Sequence, residues 1–193
     1  AARLGPEMMY QLMHDVLALA QDTVQRYEGT LTQVSGDGFL ALFGAPVAHE
    51  DHAVRACYAT LHMQEAIGEY ANELRRQKGL DVQIRVGLNS GEVVVRAIGN
   101  DLHMDYTAVG QTTHLAARME QLARPGTALL TADTLRLVEG YVEVTPLGPV
   151  PVSEALAAGY RAAGAMYQAG NVEGAGGLLA MNFLMDRSAV DWA

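Results

Sequence analysis

Residues 30–43 read TLTQVSGDGFLALF, and the fold turns on how that stretch is interpreted. Two short apolar runs flank Ser35-Gly36-Asp37-Gly38. This combination predicts a β-hairpin, because glycine enters the positive-φ conformations of a tight turn without steric cost. Asp37 falls at the hairpin tip, where its carboxylate has two readings. It shapes the turn through hydrogen bonds to its own backbone, or it binds a hard cation such as Mg²⁺.

On the N-terminal side, Met9, Leu12, Met13, Val16, Leu17, Ala20, Val24 and Tyr27 recur at three- and four-residue spacing, which predicts an amphipathic helix from Pro6 to Tyr27. Pro6 suits its first turn and Gly29 follows its end. On the C-terminal side, a second helix begins near Glu50 and Asp51 and ends at Gly79. Its buried stripe is Ala53, Ala56, Cys57, Thr60, Leu61, Gln64, Ile67, Ala71 and Leu74.

From Leu80 to Leu88 apolar residues alternate with Asp81, Gln83, Arg85 and Gly87, a strand signal. Asn89-Ser90-Gly91 then predicts a turn into a second run, Glu92 to Ile98, giving another hairpin. Gly99 to Thr107 reads as a loop, and about 110–123 as a third helix stopped by Pro125-Gly126. A strand over Thr127–Thr131, a short helix over Ala132–Leu137 and a strand near Tyr141–Thr145 follow.

This order predicts an α+β fold, a ferredoxin-like sandwich with a mainly antiparallel sheet and helices on one face. Such a sheet begins with a central strand ahead of its first helix, yet only five residues precede Pro6. The first central strand is therefore expected to be missing. Residues 1–150 are read as one domain. Residues 151–193, rich in Ala, Gly and Met, are read as a helical linker or the start of a further domain, with helices over Ser153–Gln168 and Val172–Asp186.

The chain has 193 residues, half of them hydrophobic, and a net charge of −9 with Lys78 as the only lysine. That composition is globular, and the acidic balance argues against nucleic acid as a partner. The single cysteine, Cys57, lies in the apolar pattern of the second helix and reads as a small buried hydrophobe. No apolar run of bilayer-spanning length and no leader pattern are present, which sets a cytoplasmic expectation.

A second constellation runs from Asp105 to Arg118, DYTAVGQTTHLAAR. His114 and Arg118, four positions apart, share one helix face. There they meet a polyphosphate together, or they are a satisfied boundary histidine and a solvated arginine.

With TQVSGDGFLALFGAP, IRVGLNSGEVVV, IGNDLHMDYTAVGQTTHLAARM and the Pro-Gly-Thr after them, the chain from about Gly5 to Gly148 resembles the catalytic domain of the class III nucleotidyl cyclases. The resemblance is greatest to bacterial adenylyl cyclases. It implies conversion of ATP to 3',5'-cyclic AMP and pyrophosphate, with two Mg²⁺ or Mn²⁺ ions and active sites shared across a homodimer. Asp37 matches a metal-binding aspartate. Thr107, Gln33 and Gly36 match substrate-binding positions, Gln33 standing where a purine-reading lysine is common. Arg118 matches the arginine that stabilises charge on the α-phosphate, and His114 stands where many members carry a ribose-orienting asparagine.

Three departures accompany the match. The first strand and first metal aspartate are not found before Pro6, so the domain is expected to be N-terminally incomplete and weak or inactive. Arg96 stands where a glycine is usual, and the last phosphate-binding lysine has no counterpart. A non-catalytic dimerisation or nucleotide-sensing module is the alternative. A diguanylate cyclase also carries a Gly-Asp hairpin, but Asp105–Arg118 argues against it.

Overall fold

Pro6 opens the first helix and Gly79 closes the second, each for the reason its chemistry suggests. Proline's fixed φ and missing N–H suit a first turn, and Gly79 takes the left-handed conformation (φ 68°) with its N–H on the carbonyl of Arg75. The computed structural model describes residues 5–35, 38–100, 103–109, 111–148, 166–170 and 179–185. In these the helices are α1 (Pro6–Arg26), α2 (His52–Lys78), α3 (Gln111–Leu122) and α4 (Ala132–Val138). The strands are β1 (Thr30–Ser35), β2 (Gly38–Phe43), β3 (Ile84–Ser90), β4 (Val94–Asn100), β5 (His103–Val109), β6 (Ala128–Leu130), β7 (Glu143–Gly148), β8 (Met166–Gly170) and β9 (Leu179–Met185).

The hairpin expected from the opening stretch is present. β1 and β2 pair antiparallel from Thr30↔Leu42 to Ser35↔Gly38, with a bulge between Leu31 and Gln33. The main sheet has seven strands in the order β1-β2-β9-β3-β6-β8-β7, and β4 and β5 form a separate two-stranded sheet. Only the β3–β6 pair is parallel, so the α+β, mainly antiparallel expectation holds.

Four expectations need correction. The sheet has no gap, because β9 lies between β2 and β3, antiparallel to both, in the central place where a first strand was missing. The tail was expected to be helical, but its described parts, β8 and β9, are strands of this same sheet. Ala, Met and Leu favour helix locally, and pairing along both edges of a strand-wide slot overrides that preference. Third, β3 does not form a hairpin with the run that follows it. Its edges are taken by β9 and β6, so β4 pairs instead with β5, a segment expected to be a loop.

Fourth, helices cover both faces of the sheet. Phe39, Ala41 and Phe43 of β2, Ile84, Val86 and Leu88 of β3, and Ala128 and Leu130 of β6 pack in one core with Leu12, Val16 and Ala20 of α1, Ala56, Cys57 and Met63 of α2, and Val138 of α4. The alternate residues Leu40 and Leu42 meet Ala116 of α3, and Leu129 meets Met119 and Ala123. Each fully buried large side chain contributes about 1.5–3 kcal/mol.

The α1 stripe is close to that expected. The α2 stripe takes in Val54, Ala59 and Met63, because α1, α4 and the sheet all press on it, while the expected Leu61 and Gln64 are only half-buried. Cys57 is completely buried, and burial pushes its thiol up to about 12. Among the described residues no helix is long and apolar enough to cross a membrane.

A chain ending at residue 178 loses β9 and leaves β2 and β3 facing an empty slot. It is expected to lose cooperative thermal unfolding by circular dichroism and to bind a hydrophobic dye. Unchanged cooperative unfolding would contradict the role given to β9.

Candidate functional site

Three alternate residues on one face of β3 hold α3 along its length. Asn89 Nδ2 donates to the carbonyl of Thr112 at 3.0 Å. Gly87 lies so close that a Cβ there would stand 2.1 Å from the Ala116 carbonyl oxygen and 2.2 Å from the Glu120 nitrogen. Arg85 Nε lies 3.3 Å from Glu120 Oε1, whose side chain is 3% exposed. Positions 112, 116 and 120 form one helical face, because residues four apart lie a turn apart. As the strand residues ascend the helix residues descend, so α3 runs antiparallel to β3. Removing one partner of so buried an ion pair costs about 3–5 kcal/mol.

The start of α3 is fixed further. Thr112 Oγ1 donates to the Glu92 carbonyl at 2.6 Å, and Asn89 Oδ1 accepts from Thr131 Oγ1 at 2.8 Å. Thr131 is the N-cap of α4, its Oγ1 accepting from the Thr134 N–H at 3.3 Å. This polar network joins the ends of β3 and β6 to the beginnings of α3 and α4.

On α3, His114 is exposed and Arg118 is partly buried. The Arg118 Nη1 donates to Gln121 Oε1 at 3.2 Å, while its buried Nε has no hydrogen-bond partner among the described residues. An arginine with a desolvated, unused donor has capacity left for an anion. Both residues lie on α3, about one turn apart.

Thr107 lies on β5, directly opposite Arg96 on β4. Gln33 lies on β1, opposite Leu40 on β2. β5 runs against β1 and also touches α3, so the strands carrying Gln33 and Thr107 and the helix carrying His114 and Arg118 adjoin. Gly36 and Asp37, which connect Ser35 to Gly38, lie outside the described residues. Among the described residues, no group of three or more His, Cys, Asp or Glu is placed to hold a metal ion.

Sequence reasoning missed Asn89, Gly87, Arg85, Thr112 and Glu120. Their signal was present in the intervening positions of the β3 alternation and in four-residue spacing along α3. A separate open groove of about 420 Å³ is lined by Ser90, Gly91, Glu92, Asp133, Arg136 and Leu137. It includes none of the site residues expected from the sequence.

A family model described as the adenylate and guanylate cyclase catalytic domain matches residues 1–168. Adenylate cyclase 1 of Rhizobium meliloti is 32% identical over 147 residues, covering 75% of this chain and 22% of that protein. The chain thus spans about a fifth of that relative's length. The crystal structure of the adenylyl cyclase CyaB from P. aeruginosa matches with a TM-score of 0.77 at 25% identity, covering 88% of this chain and 86% of that one. The guanylate cyclase domain of RhGC from Catenaria anguillulae, solved in complex with GTP, matches with a TM-score of 0.73 at 26% identity, over 89% and 88% of the two chains.

Gly87→Ala places a methyl group against the backbone of α3 and is expected to destabilise the fold by about 1–3 kcal/mol. Urea unfolding followed by circular dichroism measures this. A loss below about 0.5 kcal/mol, the range of ordinary surface substitutions, would show that α3 yields freely.

Proposed function

We propose that this chain, which belongs to the adenylate and guanylate cyclase catalytic domain family, converts ATP to 3',5'-cyclic AMP and pyrophosphate. The observation that carries this reading is the docking of α3, which carries His114 and Arg118 one turn apart, with an Arg118 donor that has no partner among the described residues. In the reaction the ribose 3'-hydroxyl attacks the α-phosphorus and pyrophosphate leaves. Arg118 supplies a preplaced cation for the negative charge that develops, a form of electrostatic stabilisation that needs no reorganisation during reaction. His114, one turn earlier, orients the ribose by hydrogen bonding. Gln33 and Thr107 read the purine, and that pair favours ATP over GTP. The Rhizobium relative, named an adenylate cyclase, agrees with this choice.

Divalent Mg²⁺ or Mn²⁺ would supply Lewis-acid activation of the ribose hydroxyl. Asp37 is the carboxylate of the opening hairpin proposed to hold it. Residues 1–150 carry the proposed site residues, and the described strands of 151–193 complete the sheet. The proposed working unit is a homodimer, each active site drawing on both copies.

One observation favours the non-catalytic alternative. Arg96, at a position where a glycine is usual in the family, is the β4 partner of Thr107 in the β4–β5 register.

Turnover of ATP and GTP by the full chain, with Mg²⁺ and with Mn²⁺, tests the reading. Cyclic AMP is the expected product, with Arg118→Ala lowering kcat about 10²- to 10³-fold and Asp37→Asn abolishing metal-dependent turnover. An unchanged rate in Arg118→Ala would remove the site assignment. Nucleotide binding without turnover would favour the sensing module.

A further inference from the structure

Asn89 is 2% exposed, and both ends of its carboxamide are used. Its nitrogen donates to the Thr112 carbonyl in the first turn of α3, and its oxygen accepts from the hydroxyl that caps α4. Thr131 and Thr134, on the other side of that bond, are also buried, at 8% and 0% exposure. Thr112 adds a hydrogen bond of its own to the chain just beyond β3. A carboxamide is the smallest uncharged side chain that donates at one atom and accepts at another. Here both atoms are occupied, in a place where an unmet polar group is costly.

We propose that Asn89 is a positioning residue for the functional face of α3. By tying the first turn of α3 to the α4 cap, it fixes the rotation and height of the helix, and so the places of His114, two residues beyond Thr112, and of Arg118, one turn later. Gly87 sets how closely α3 approaches the sheet; Asn89 sets its register along β3. The proposal rests on the cyclase reading only where it concerns turnover.

The discriminating change is Asn89→Asp. It keeps the shape and the acceptor for Thr131 but turns an oxygen toward the Thr112 carbonyl, replacing a donor by a repulsive contact. Thr131→Val removes the other bond, and Thr131→Ser restores it.

Backbone hydrogen exchange on the full chain reads the positioning. Asn89→Asp is expected to speed exchange in the first turns of α3 about tenfold, the effect of roughly 1.4 kcal/mol on a local opening, while α1 and α2 keep unaltered rates. Thr131→Val is expected to act on both α3 and α4, and Thr131→Ser on neither. It also serves as the second probe should the aspartate variant fail to fold.

Turnover reads the consequence. A kcat lowered about a hundredfold with KM nearly unchanged is expected, because misplacement of about 1 Å is felt in the transition state. Unaltered exchange in α3 for Asn89→Asp, or an unaltered kcat despite loosened α3, overturns the proposal. If the parent chain turns over neither ATP nor GTP, the cyclase reading falls, and the exchange comparison alone supports or overturns the positioning role.

Discussion

A strand has two edges and two faces, and β3 has all of them occupied. β9 and β6 pair with its edges, the α1 and α2 core covers the face of Ile84, Val86 and Leu88, and α3 covers the face of Arg85, Gly87 and Asn89. The contact of Gly87 with the α3 backbone is the tightest constraint, since interiors packed at crystal-like density leave no room for one more methyl group. With no edge of β3 free, the chain after Ser90 turns away and builds its own hairpin. That hairpin carries Thr107 and comes to rest against β1 and α3.

Much of the architecture was legible in the sequence because its signals were local. α1 and α2 show three- and four-residue apolar spacing with proline and glycine punctuation, and the Gly-Asp-Gly turn marks the β1–β2 hairpin. What escaped was set by distant partners. LAMNFLM of β9 carries no pattern that distinguishes a strand from a helix, and its state follows from the slot it fills. The alternation of β3 was legible, but its polar positions suggest a solvated face, whereas Asn89 and Gly87 are enclosed beneath a second helix.

The candidate site divides in the same way. His114 and Arg118 were legible as a pair because four-residue spacing is a property of the helix itself. The elements that put this helix in place could not be read from spacing, because β3, β6 and α4 meet only in three dimensions. Thr131 illustrates the point. In the sequence it reads as the last residue of a short strand, and in the fold it caps α4 and anchors the Asn89 amide.

Burial of Cys57 has a practical consequence. It is the chain's single cysteine, it is fully enclosed between α2 and the sheet, and burial holds its thiol near 12. Alkylating reagents attack the thiolate, and at neutral pH such a group supplies almost none. The folded protein is therefore silent toward thiol labels as it stands. A fluorophore or spin probe attached through a cysteine introduced on the exposed face of α3 would report from one known place, without removal of a native residue from the core.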